Sequence, residues 1–237
     1  MSFLNLDHIP HKALRNEIIR TSLRMNELGI NQGKAGNVSA RTTPSPAVAG
    51  GRDGGFLITP TGLPYEETRP EQVVLMQMDG THEGTVLPSS EWRFHRDIYA
   101  AIGENMNAIV HTHAPYATTL ACMDRSIPPF HYMVAVAGGC DIPCAPYATF
   151  GTQELSDHVV AALQHRKACL MSHHGMIACG DNLQKALALA VEVETLARMY
   201  WQALQIGEPA LLSEMEMQIV VDKFRTYGQQ SLQPVSK

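Results

Sequence analysis

No uninterrupted apolar stretch in this chain approaches the ~20 residues that a bilayer-spanning helix needs. The N-terminal segment Met1–His8 lacks the basic start and long apolar run of a secretory leader. A soluble, cytoplasmic protein without membrane partners is therefore expected. Positive charge is not in excess: 18 Lys and Arg stand against 23 Asp and Glu, for a net charge of −5. The isoelectric point is about 6.1. With no basic run, nucleic-acid binding is not expected. A small phosphorylated ligand stays open, because backbone N–H groups and hydroxyls hold phosphate without net positive charge. Cysteine is sparse and odd in number (Cys122, Cys140, Cys144, Cys169, Cys179), and no C-x-x-C pair occurs. A disulfide framework is thereby disfavoured and reduced thiols are expected. No internal repeat or low-complexity segment breaks the 237 residues.

The chain does carry enough apolar residues, 45%, for one sizeable α/β core. Helical spacing predicts helices over 11–29, 91–102, 115–123, 153–164, 183–204 and 214–224. Short β-prone runs predict strands at 56–58, 73–78, 108–112, 168–171 and 176–179, with the proline-flanked segment 142–147 at an edge. The small, polar stretch 31–39 reads as a loop, and Thr42–Gly55 as a surface hairpin excursion. Without regular βαβ alternation, a sheet with helices on both faces is a better expectation than a doubly wound nucleotide fold.

Two histidine motifs organise the rest. In Val110-His111-Thr112-His113 the two imidazoles are two residues apart, so on a strand they point to one side. About sixty residues on, Ser172-His173-His174-Gly175 ends a second apolar strand. Three neutral imidazoles at one point make a zinc site with an open position. The alternative is ordinary core or surface histidines, and spacing does not choose between His173 and His174. In Pro88-Ser89-Ser90-Glu91, a serine can cap a helix whose N-terminus suits an anion. Glu91 alone reads as a helix-dipole carboxylate. Beside a histidine cluster it becomes a candidate metal ligand or general base.

The motifs Gly36-Asn37-Val38-Ser39, Thr59-Pro60-Thr61-Gly62, Ser89-Ser90-Glu91, His111-Thr112-His113 and His173-His174-Gly175 stand in the order seen in class II aldolase/adducin-type domains. On them the chain resembles that family over residues 14–228. The runs 131–156 and 89–95 resemble its fuculose-phosphate branch. The length suits a single domain over 1–237, with a polar, frayed tail at 229–237. The resemblance implies a three-layer α/β fold, a central mostly antiparallel sheet with helices on both faces, assembled as a homotetramer.

The implied activity is zinc-dependent retro-aldol cleavage of a ketose 1-phosphate, of the L-fuculose 1-phosphate type, to dihydroxyacetone phosphate and an aldehyde such as L-lactaldehyde. The implied ligands of one zinc per subunit are Glu91, His111, His113 and His174. The implied phosphate site is Asn37, Thr61, Gly62, Ser89 and Ser90. Tyr132, from the adjacent subunit, is implied as the acid toward the aldehyde oxygen, Phe150 as lining the aldehyde side, and Tyr227 as closing over substrate. Neither histidine motif contains a Schiff-base lysine, which fits a Lewis-acid route. The longer Thr42–Gly55 loop, one extra residue between Glu91 and His111, and the tail after Tyr227 depart from the fuculose pattern and bear on substrate choice. The alternatives are an aldolase for 5-deoxyribulose 1-phosphate or 5-methylthioribulose 1-phosphate, a methylthioribulose-1-phosphate dehydratase, a pentulose-5-phosphate 4-epimerase, and a metal-free adducin-like interaction module.

Overall fold

The computed structural model describes residues 9–42, 54–102 and 106–225. The helices are α1 (Lys12–Glu27), α2 (Trp92–Ala101), α3 (Pro115–Ala121), α4 (Gln153–Ala162), α5 (Leu183–Leu204) and α6 (Glu214–Phe224). The strands are β1 (Asn37–Arg41), β2 (Phe56–Ile58), β3 (Val74–Met76), β4 (Ala108–Thr112), β5 (Cys144–Ala145), β6 (Ala168–Met171) and β7 (Gly175–Gly180). They form one open sheet in the order β3-β2-β1-β4-β7-β6-β5. Only the β5–β6 pairing is parallel. The mostly antiparallel sheet expected from the resemblance is thus observed, with the proline-flanked strand at its edge.

Alternation along the strands divides the core in two. Val38, Leu57, Val110, Leu170 and Ala178 face one cluster, which contains buried residues of α1, α3 and α5. Phe56, Ile58, Ile109, Met171 and Ile177 face the other, with Phe94, Ile98 and Tyr99 of α2 and Leu155 and Val159 of α4. Helices therefore cover both faces, giving three layers. Caps set the helix starts: the side chain of Thr152 accepts from Leu155 N (3.2 Å), that of Asn182 from Lys185 N (2.9 Å).

The loop reading of 31–39 is corrected here. Asn37, Val38 and Ser39 belong to β1, an interior strand between β2 and β4. Its polar residues are buried and hydrogen-bonded on the α2 side, so the period-two pattern was hidden by residues that usually mark loops. Residues 131–139, assigned no element from the sequence, contain a 3-10 helix at Tyr132–Ala137. Most of the Thr42–Gly55 excursion lies outside the described residues, but its ends pair through Thr42 N–H and Gly55 O at 2.9 Å. The expected frayed tail also lies outside them. No helix among the described residues is long and apolar enough to cross a membrane.

Leu170 in β6 is fully buried. Leu170→Ala should cost about 2–5 kcal/mol of unfolding free energy, measured by urea denaturation. A loss below about 1 kcal/mol would contradict this packing.

Candidate active site

Four elements bring one carboxylate and three imidazoles together. β4 carries His111, and His113 follows directly after it. His174 lies in the turn between β6 and β7, its N–H bonded to Met171 O at 3.0 Å. Glu91 occupies the N-cap position of α2, its side chain turned to the imidazoles and making no cap hydrogen bond. Nitrogen atoms of His111, His113 and His174 lie within 4.8 Å of one another. Glu91 Oε2 is 3.2 Å from His111 Nε2, and Oε1 is 3.1 Å from His174 Nε2. His173, left open by spacing, is instead exposed, with a left-handed φ of 53° and a T-shaped ring contact with Tyr147. Gly175 explains why the motif ends in glycine. A Cβ there would meet Thr112 O at 2.6 Å and the His113 ring at 3.0 Å.

Hydrogen-bond directions test whether this cluster fits a cation. His111 Nδ1 donates to Met176 O at 2.9 Å. In a neutral imidazole that leaves a lone pair on Nε2. This lone pair points at Glu91 Oε2 and at His113 Nε2, each 3.2 Å away. Glu91 Oε1 is buried and receives no hydrogen bond from the described residues. Carboxylate oxygens and imidazole nitrogens converging on one space draw positive charge there, a proton or a cation, and the donor set of imidazoles plus carboxylate suits a divalent transition metal. The residues present therefore fit a metal ion. Met176 O fixes the His111 tautomer as second partners of metal-bound histidines do.

The electrostatics show the same pull toward positive charge. Burial alone opposes ionisation of Glu91, but the imidazoles of His111 and His174 outweigh it and hold the carboxyl well below the usual range. Burial, together with His111 and His174, pushes His113 down to about 4, leaving its imidazole neutral. For His111, burial opposes protonation but Glu91 outweighs it, and its pKa rises.

The cluster opens into a cavity of about 340 Å³ lined by Ser90, Glu91, His113, Tyr147, Phe150 and His174, among others. Beside it two hydroxyl-bearing turns are tied together. Pro60 and Pro88 form an antiparallel bridge, Ser89 N–H donates to Thr59 O (3.0 Å), and Thr61 N–H donates to Leu87 O (3.1 Å). Thr61, Gly62 and Ser90 are exposed there, Gly62 with a φ of 72°. The Ser89 hydroxyl is buried and accepts from Glu91 N–H at 3.3 Å. Lys34, which the sequence reading passed over, donates from Nζ to Gly62 O at 2.6 Å and brings a positive charge to this turn.

Asn37 is placed differently from the other expected phosphate residues. It is 3% exposed, its Nδ2 donates to Glu91 Oε2 at 2.8 Å, and its Oδ1 faces His95 Nε2 at 2.5 Å. Its side chain is occupied in holding the carboxylate. Tyr132 is 51% exposed and does not line the cavity of its own chain, whereas Phe150 does. Tyr227 lies outside the described residues.

Residues 16–201 match the model of the class II aldolase and adducin N-terminal domain. The chain belongs to that family. The 5-methylthioribulose-1-phosphate/5-deoxyribulose-1-phosphate aldolase of Rhodospirillum rubrum is 51% identical over 222 residues, 94% of this chain and 96% of the relative. The L-fuculose phosphate aldolase of Escherichia coli K12 is 52% identical over 216 residues, 91% and 95% of the two chains. A solved L-fuculose 1-phosphate aldolase superposes with a TM-score of 0.84 at 35% identity, covering 92% of this chain and 99% of that one.

Gly175→Ala should displace the histidines, because the added methyl meets backbone at Thr112 and the His113 ring. Chelator competition should show zinc affinity lowered by at least tenfold, within the roughly 10–100-fold range for disturbed ligand support. Unchanged affinity would contradict the packing argument.

Proposed function

We propose that this protein is a zinc-dependent class II aldolase. It cleaves a ketose 1-phosphate, of the L-fuculose 1-phosphate type, reversibly to dihydroxyacetone phosphate and an aldehyde such as L-lactaldehyde. The observation that carries this reading is the convergence of Glu91 with His111, His113 and His174 beside two tied hydroxyl turns. Those four residues would hold the metal. When bound, the metal supplies a Lewis acid for the negative charge that develops on oxygen as the carbon–carbon bond breaks.

The protein's own groups do the rest. Thr61, Gly62, Ser89 and Ser90, with the α2 N-terminus, bind the phosphate through neutral donors, and Lys34 adds positive charge at the same turn. Asn37, also expected at the phosphate, acts through its side chain on Glu91. In the condensation direction Glu91 takes a proton from the carbon of dihydroxyacetone phosphate beside the carbonyl, and that carbon attacks the aldehyde. Tyr132 gives its hydroxyl proton to the aldehyde oxygen as that oxygen becomes an alcohol. Cleavage runs the same steps in reverse. Phe150 and Tyr227 cover the aldehyde end.

Tyr132 serves this role from an adjacent subunit, which its exposure and its absence from the lining of the home cavity support. The working unit is accordingly a homotetramer with sites at subunit interfaces, a state that light scattering of the purified protein checks. The compartment consistent with reduced thiols is the cytoplasm, and all five cysteines are unpaired.

A second reading keeps the chemistry and changes the sugar. The Rhodospirillum rubrum relative, at 51% identity, favours 5-methylthioribulose 1-phosphate or 5-deoxyribulose 1-phosphate. The aromatic residues Tyr147 and Phe150 at the cavity suit a methyl or methylthio end equally.

A coupled assay for dihydroxyacetone phosphate, run on these three sugar phosphates with and without chelator, tests both readings. Release that chelator abolishes and zinc restores is expected, and the preferred sugar selects the branch. No release from any of them with zinc present would overturn the aldolase reading in favour of the epimerase or dehydratase.

Glu91→Gln should keep the fold and lose about 10²–10⁴-fold in turnover, the range for a general base. His113→Ala should lose zinc, and Tyr132→Phe should slow cleavage with zinc retained, by metal analysis of the purified variants. Near-normal turnover of zinc-loaded Glu91→Gln would remove Glu91 as the base.

A further inference from the structure

Behind Glu91 runs a line of buried polar groups that the proposed chemistry does not itself use. Asn37 Nδ2 is 2.8 Å from Glu91 Oε2, and Asn37 Oδ1 is 2.5 Å from His95 Nε2. His95 Nδ1 is 2.7 Å from Ser39 Oγ, which is 2.8 Å from the Tyr99 hydroxyl. All five residues are buried, Ser39 and His95 with no exposed surface. β1 supplies Asn37 and Ser39 two residues apart on one face, and α2 supplies His95 and Tyr99 one turn apart on the facing side.

The directions follow by elimination. A carboxylate only accepts, so Asn37 must present its NH₂ to Glu91 and its carbonyl to His95. That carbonyl also only accepts, so His95 must carry its proton on Nε2. Burial pushes His95 down to about 3, so the imidazole is neutral and Nδ1 keeps a lone pair. Ser39 then donates to His95 Nδ1, and the Tyr99 hydroxyl donates to Ser39. Every bond points toward the carboxylate, and reversing any one leaves two acceptors face to face in a dry interior. The line is also held mechanically. The His95 ring stacks on Phe94 at 4.7 Å, Tyr99 packs on Phe56 at 5.3 Å, and the Arg41 guanidinium lies over the Tyr99 ring while donating to its carbonyl.

We propose that His95, held as its Nε2–H tautomer by Ser39 and Tyr99, is a positioning residue that orients Glu91 through Asn37. The inference rests on the reading of Glu91 as metal ligand and base. A histidine that only filled the core would leave the Asn37 carbonyl without a donor and the amide held by Glu91 alone. Here the His95 Nε2–H fixes the other end of the amide, so the donor to Oε2 is held from both sides.

Two measurements test it. Long-range ¹H–¹⁵N spectra of the metal-free wild-type protein should show the His95 proton on Nε2. A proton on Nδ1, or on both nitrogens, would overturn the proposal whether or not any variant folds. Zinc affinity by chelator competition should fall about 10–100-fold in His95→Leu. In the zinc-saturated variant kcat should fall with little change in KM. His95→Gln, which restores an N–H toward Asn37, should recover most of both losses. Wild-type zinc affinity in His95→Leu, or no recovery in a folded His95→Gln, would overturn the proposal. Glu91→Ala serves as the control. If it weakens zinc binding and His95→Leu does not, this inference alone fails. If Glu91→Ala also binds zinc normally, the reading of the site fails and this inference with it.

Discussion

A carboxylate only 5% exposed is held against the nitrogen atoms of two imidazoles, and much of the chain serves that arrangement. Burying a charge is expensive unless partners replace the lost water. Glu91 has such partners because β1 pairs with β4 in a register that sets Asn37 opposite His111. β4 pairs in turn with β7, bringing the β6–β7 turn and His174 to the same end of the sheet. Gly36 and Gly175 allow the close approach. A Cβ on Gly36 would meet His111 O at 2.4 Å, as one on Gly175 would meet Thr112 O. Glu91 Oε1 accepts no hydrogen bond among the described residues and faces imidazole nitrogen atoms, so the cluster draws positive charge to its centre. A bound cation would supply it.

Much of this was legible in the sequence where one physical rule dominated. The 3.6-residue apolar period of Leu183–Leu204 and Glu214–Phe224 predicts both helices with the observed bounds. The i, i+2 spacing of His111 and His113 predicts two imidazoles on one side. Elsewhere two rules competed. Asn37 and Ser39 look like loop residues because polarity usually means exposure, whereas here they are buried and paired. His173 and His174 could not be told apart by spacing, because a left-handed residue at 173 breaks the strand alternation. Lys34 and His95 gave no local signal. Their partners, Gly62 and Asn37, lie 28 and 58 residues away in sequence and meet only in the folded chain. The resemblance chose His174 over His173 and supplied Tyr132, neither of which a pattern in the chain would have selected.

The site divides into two halves with different demands. On the proposed reading, the half that would hold metal and phosphate is built from backbone, hydroxyls and imidazoles and would serve any ketose 1-phosphate. The other half is lined by Tyr147 and Phe150, whose rings would face the far end of the sugar. A hydrophobic wall of this kind separates ligands differing by a methylene by only about 1–3 kcal/mol. Relatives named for fuculose phosphate and for methylthioribulose phosphate are close to equal in similarity to this chain, at 52% and 51% identity.

The central claim is that Glu91, His111, His113 and His174 share one metal ion. The most direct measurement is an anomalous difference map at the zinc edge from crystals of the zinc-loaded protein. The account predicts one dominant peak in each protomer, bounded by those four side chains. A peak at other residues, or none at this cluster in fully loaded protein, would contradict it.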